Sequence, residues 1–134
     1  MKLVADSNRI MAAIIRDSIS REILLSDKFE FVAPEKVKEE LIKYSEELIQ
    51  KAHISKDDFS LLLAFIFNEI QIIPSEEIER YNKEVKGLIK DSGDIPFLSC
   101  ALATKADGIW TEDEDFFQQK KIKIFRTKDL LDLI

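Results

Sequence analysis

The residues of this chain best equipped for chemistry are acids set at the ends of apolar runs. Asp6 directly follows Leu3-Val4-Ala5, and Glu40 sits in PEKVKEEL. Asp91 and Asp94 open DSGDIPFLSCALATKA, and Asp113 and Asp115 follow Ile109-Trp110-Thr111. Carboxylates gathered from separate segments repel: two unit charges about 4 Å apart cost about 4 kcal/mol at an effective dielectric near 20. Four in one cleft would cost an amount comparable with a domain's whole stability of roughly 5–15 kcal/mol. Protonation or a divalent cation relieves that cost. An all-oxygen donor set without His or Cys suits Mg²⁺ or Mn²⁺. Such ions activate water and steady the charge of an in-line phosphoryl displacement. Acids converging from separate segments therefore suggest a metal-dependent phosphodiesterase.

Each acid also has a plainer reading. Asp6 can cap the helix that follows, although Ser7 and Asn8 can do that equally well. Asp94 precedes Ile95-Pro96, the pattern of an N-cap with Pro in the first turn. Asp91 lies three residues earlier. Thr111 with Glu114 three residues on matches a capping box. Glu39 and Glu40 are separated by helix geometry, since each residue advances roughly 100°. If Val37, Leu41, Tyr44 and Leu48 form the buried stripe, Glu40 lies at its edge and Glu39 points into solvent. A carboxylate beside an apolar seam is costly unless paired or metal-bound, so Glu40 is the better candidate.

The elements that must position these acids alternate. KLVAD (2–6) reads as a short buried strand. A helix over about 8–17 follows, then a short one in SREILLSD. FEFV (29–32) alternates like a strand and stops at Pro34, which opens a helix running to about 52. SKDDFSLLLAFIFNEI reads as a core helix capped by Ser55, and IQII (70–73) as a brief strand. SEEIERYNKEVKGLIK and DIPFLSCALATKA read as helices, DGIWT as a strand and EDEDFFQQ as a helical turn. IKIF (122–125) is a last strand before a closing helix. Strands separated by helical crossovers predict one α/β domain over 1–134, with a parallel sheet of four to five strands flanked by helices on both faces. Ligands of such sheets bind outside the carboxyl ends of the strands, where Asp6 and Asp113 emerge.

Composition narrows the function classes. With 134 residues, 46% of them hydrophobic and 34% charged, the chain fits a single globular domain. The net charge of −6 argues against gripping nucleic acid by bulk electrostatics. Local basic residues, such as Lys120, Lys121, Lys123, Arg126 and Lys128, or bound cations would have to serve instead. Cys100 is the only cysteine, which excludes an internal disulfide and fits a reducing cytoplasm. No secretory signal is evident and the longest apolar run is too short to span a bilayer, so no membrane role is expected. His53 is the only histidine, in a polar turn without His or Cys nearby, and reads as surface. There is no Ser–His–Asp spacing and no glycine-rich phosphate loop. A phospho-accepting receiver domain wants an acidic pair after the first strand, whereas Asp6 is followed by Ser-Asn.

LVADSN, PEKVKEEL and DSGDIPFLSCALATKADGIWTEDEDF, in that order, resemble the PIN-domain family of metal-dependent ribonucleases. The likeness extends to small stand-alone prokaryotic members with D-x-x-D-x-P-F-L-x-x-A-L-A and I-W-T-x-D-x-D-F segments, and it covers essentially the whole chain. The resemblance implies a PIN-like fold in which Asp6, Glu40, Asp94 and Asp113 are the catalytic, Mg²⁺- or Mn²⁺-binding acids. Asp115 and Asp91 are further metal-binding candidates, with Ser7 and Thr111 as supporting hydroxyls. It implies an endoribonuclease that cleaves RNA by metal-activated water, leaving a 5′-phosphate and a 3′-hydroxyl. Many similar proteins are the toxin half of a toxin–antitoxin pair, so an antitoxin protein is an expected partner, and homodimers are common among them. The alternative is a catalytically silent PIN-like module that binds RNA or protein.

Overall fold

The computed structural model describes residues 1–15 and 18–134. Five short strands form one sheet: β1 (Lys2–Ala5), β2 (Glu30–Pro34), β3 (Ile70–Ile73), β4 (Gly108–Trp110) and β5 (Ile124–Phe125). Their spatial order is β3-β2-β1-β4-β5, and every neighbouring pair is parallel. A parallel sheet covered on both faces needs strands apolar on both faces, and Leu3, Val4, Ala5, Val32, Ala33, Ile109 and Trp110 are all fully buried.

The order has a functional consequence. From β1 the chain steps outward through β2 to β3, then returns to place β4 on the other side of β1. Right-handed crossovers therefore put the intervening helices on opposite faces. α1 (Ser7–Ile15), α2 (Ser18–Leu25), α3 (Lys36–Lys43), α4 (Ser45–Ala52) and α5 (Lys56–Glu69) belong to the first excursion. α6 (Ser75–Ile78), α7 (Asn82–Lys86) and α8 (Ile95–Thr104) belong to the return, and α9 (Thr127–Leu131) closes the chain against α2. α1 packs on α2, α3 and α4, whereas α8 packs on α6, α7 and the sheet. The strand order reverses between β1 and β4, the switch point at whose carboxyl ends α/β sheets bind ligands.

Several elements differ from the sequence expectation. The helix expected through 52 bends at Tyr44, whose φ and ψ of −99° and 12° leave the helical basin. The bend lets Leu41 and Leu48 both stay buried while Tyr44 turns outward, 39% exposed rather than part of the buried stripe. Pro34 ends β2 instead of opening α3. The helix expected over 75–90 is interrupted by a 3₁₀ turn at Glu79–Tyr81. The helix read over 8–17 spans Ser7–Ile15, and its last two positions lie outside the described residues. The last strand is shorter than 122–125 because the buried Gln119 side chain takes the Ile122 backbone, accepting from its N–H (2.8 Å) and donating to its carbonyl (2.9 Å).

Other expectations hold. Ser55 caps α5 by accepting from the Asp58 N–H at 3.0 Å. That helix, however, buries only one side: Phe59 and Ile66 face the core, whereas Leu61 and Phe65 are 70% and 51% exposed. Cys100 is fully buried, and burial pushes its thiol up to about 12, so it is packing rather than nucleophile. His53 is exposed in the left-handed conformation that ends α4. Among the described residues no helix is long and apolar enough to cross a membrane.

Candidate metal centre

The acids at the switch point between β1 and β4 stand where helices and turns begin, and most of them also cap. Asp6 lies just beyond β1 and is 6% exposed, with its backbone N–H donating to the Trp110 carbonyl at 3.1 Å. α1 starts at Ser7, so the capping position falls to Asp6 itself, which accepts from the Asn8 N–H. Ser7 and Asn8 are therefore not the caps. The Ser7 hydroxyl, 2% exposed, instead donates to Glu40 Oε1 at 3.1 Å. That contact ties α1 to α3 and turns Glu40 toward Asp6. Glu40 is half-buried and Glu39 exposed, as the helical angle requires.

Thr111 does not head a capping box with Glu114. Its hydroxyl donates to Asp6 Oδ2 at 2.7 Å and accepts from the Asp113 N–H at 3.0 Å. Asp113 takes the capping position of the Glu114–Gln118 3₁₀ turn, its Oδ1 accepting from the Asp115 N–H at 2.9 Å. A chain of hydrogen bonds thus runs from β1 to the segment after β4: Asp6, Thr111, Asp113, Asp115.

Asp94 is the exception among the caps. The capping work before α8 is done by Asp91, whose Oδ1 accepts from the Gly93 N–H at 2.8 Å. Asp94 makes no side-chain cap, and its Oδ2 is buried without a hydrogen-bond partner among the described residues. Burial pushes the Asp94 carboxyl up to about 7, aided by repulsion from Asp91, Asp113, Asp6 and Asp115. Burial also raises Asp6, with Asp113 and Glu40 adding to the effect against the Thr111 hydrogen bond. Such like-charge crowding raises carboxyl pKa values in functional clefts.

The six acids do not form one knot. Single carboxylate oxygens of Asp91, Asp94 and Asp115 lie within 4.8 Å of one another. Asp6 and Asp113 are joined to each other through Thr111 and repel Asp94. Glu40 reaches the group through Ser7 and its repulsion of Asp6. Asp113 is the acid most widely shared, because it raises both Asp6 and Asp94. The donor set is entirely carboxylate and hydroxyl oxygen, and Asp94 offers a buried oxygen that no group among the described residues satisfies. Both features fit a hard divalent cation.

Two flanking groups carry little sequence signal. Lys36 donates to the Gly93 carbonyl at 2.7 Å and so holds the turn that presents Asp94; its place four residues before Glu40 is the sole hint. Arg126 donates to Glu112 and Glu114, the residues on either side of Asp113. Of the basic residues near the last strand, Lys121 pairs with Glu84, Lys123 covers the Phe125 ring at 4.8 Å, and Arg126 pairs with Glu112 and Glu114. Lys120 and Lys128 are exposed.

Comparison with known proteins bears on the family and the fold. Residues 4–129 match the family model described as PIN domain. Among solved structures, the chain is similar to one from the crystal structure of VapBC2 from Rickettsia felis bound to a DNA fragment from their promoter. The likeness has a TM-score of 0.70 at 22% identity and covers 94% of this chain and 98% of that one. No curated protein matches the sequence. The match over nearly the full length, on a five-stranded parallel sheet with acids at its switch point, places this chain in the PIN domain family.

Proposed function

We propose that this protein is an endoribonuclease in which Asp6, Glu40, Asp94 and Asp113 hold Mg²⁺ or Mn²⁺, with Asp91 and Asp115 at the rim. The observation that carries the reading is Asp94: a carboxylate with a buried, unpartnered oxygen, crowded by four other acids and not spent on a cap. A divalent ion in this cleft supplies activated water and charge stabilisation for an in-line displacement at phosphorus. The chain's own part is to fix the carboxylates. Thr111 locks Asp6 against Asp113, Ser7 draws Glu40 inward, and Asp91 frees Asp94 by capping in its place. No side chain serves as nucleophile, and the products carry a 5′-phosphate and a 3′-hydroxyl.

The solved structure of similar fold is described as VapBC2 on promoter DNA, and we extend that context here: the protein is the toxin of a toxin–antitoxin pair, acting on RNA in the cytoplasm. A groove of about 530 Å³ lined by Met11, Ala12, Ile15, Tyr44 and Leu48, with Glu40 and Lys51 among its polar members, suits an antitoxin segment beside the site. Exposed Ile42, Leu61 and Phe65 on α3 and α5 support a homodimer.

The test is cleavage of single-stranded RNA with Mn²⁺ by wild type, Asp6→Asn, Asp94→Asn and Glu39→Gln. Loss of a ligand should slow cleavage at least about 100-fold, and Glu39→Gln should leave it unchanged. Equal activity in all four would sink the assignment. Metal binding without cleavage by the wild type would favour a catalytically silent binding module.

A further inference from the structure

We infer that Arg126 is a positioning residue for the metal centre: its guanidinium clamps the two residues on either side of Asp113 and so fixes where that carboxylate stands. The inference rests on the proposed role of Asp113. Arg126 Nη2 donates to Glu114 Oε1 at 2.8 Å, and Nη1 to Glu112 Oε2 at 3.5 Å. The guanidinium lies over the Phe117 ring at 4.3 Å. One planar fork thus spans the residue before and the residue after Asp113.

The placement follows from sheet register. Trp110 pairs with Phe125, so Thr111 and Arg126 leave β4 and β5 side by side, with the Thr111 N–H donating to the Phe125 carbonyl at 3.1 Å. Side chains alternate along a strand, and the hydrogen bonds show that alternation continuing past Trp110. Thr111 turns to Asp6, Glu112 turns to β5 and α9, and the next residue, Asp113, is bound back to Thr111. Glu112 Oε1 also accepts from the Thr127 N–H at 2.7 Å. Thr127 in turn accepts from Trp110 Nε1 at 3.1 Å and Arg9 Nη1 at 3.4 Å, joining the brace to α1 one turn past Asp6.

The rival reading is a pair of surface ion pairs, which contribute little. The two differ in sign at the metal. A cation beside an acidic site opposes cation binding, so removing a merely electrostatic Arg126 should tighten Mn²⁺. Removing a clamp should loosen it.

The test uses the full chain as wild type, Arg126→Ala and Arg126→Lys, without RNA. Mn²⁺ affinity is measured by titration calorimetry, and exchange of the Asp113 and Asp115 amides by NMR in metal-free protein. Arg126→Ala should weaken Mn²⁺ about 10-fold, the scale of lost support behind metal ligands. Both amides should exchange faster while the thermal midpoint holds. Arg126→Lys should also weaken binding, because an ammonium cannot fork across two carboxylates. Unchanged or tighter Mn²⁺ binding in Arg126→Ala, or unchanged exchange of both amides, would overturn the inference. A wild type that bound no Mn²⁺ would contradict the proposed function instead, and the amide exchange alone would then decide the clamp.

Discussion

At the scale of single residues, Asp94 turns an electrostatic cost into a pH signature. Its carboxyl is raised from 3.8 to about 7, chiefly by burial. A group with a raised folded pKa contributes stability that is complete below the unfolded value and lost as pH rises through the folded one. The metal-free protein should therefore melt at lower temperature at pH 8 than at pH 5. Asp94→Asn should raise its midpoint at pH 8 by about 3 °C, corresponding to roughly 1 kcal/mol once partial contact with water is discounted. Mn²⁺ must displace the proton to bind, so its stabilisation of the wild type should be small at pH 5 and large at pH 8. Thermal melts of both proteins at the two pH values, with and without Mn²⁺, check all of this. A midpoint that rose with pH in the metal-free wild type would contradict the assigned burial.

At the scale of elements, the approach of β4 to β5 sets the position of the Thr111–Asp113 segment. Gly108 makes it possible: a Cβ there would stand 2.5 Å from the Lys123 carbonyl oxygen and 2.6 Å from the Phe125 ring. Gly108→Ala should push β5 outward and destabilise the fold by about 1–3 kcal/mol, as overpacking does, read by denaturant melts. The strands were legible because their short β-capable apolar runs are the pattern of buried parallel strands. The half-burial of Glu40 and the exposure of Glu39 were legible from helical angle. The bend at Tyr44 and the break at Glu79 were not, because no Pro or Gly marks either one. Capping was misread at Ser7 and Thr111 for a related reason. A hydroxyl that caps a helix and one that bonds a carboxylate look alike in sequence, and only the packing of α1 on α3 and of β1 on β4 decides between them. The Arg126 brace depends on β4–β5 register, which no local pattern encodes.

At the scale of the whole molecule, the return of the chain across β1 gathers the candidate acids at one edge of the sheet. Asp6, Glu40, Asp94 and Asp113 come from four separate stretches, and the switch point between β1 and β4 brings their elements to one edge of the sheet. The net charge of −6 fits the proposed function only if the substrate meets a cation bound in the cleft rather than a basic surface. The proposed function requires these acids to share a divalent ion. Anomalous diffraction from crystals soaked in Mn²⁺ tests it most directly. A peak coordinated by Asp6, Asp94 and Asp113 is expected, with Glu40 bound directly or through one water. A peak held by Asp91, Asp94 and Asp115 with none beside Asp6, or no peak in the crevice at all, would contradict it.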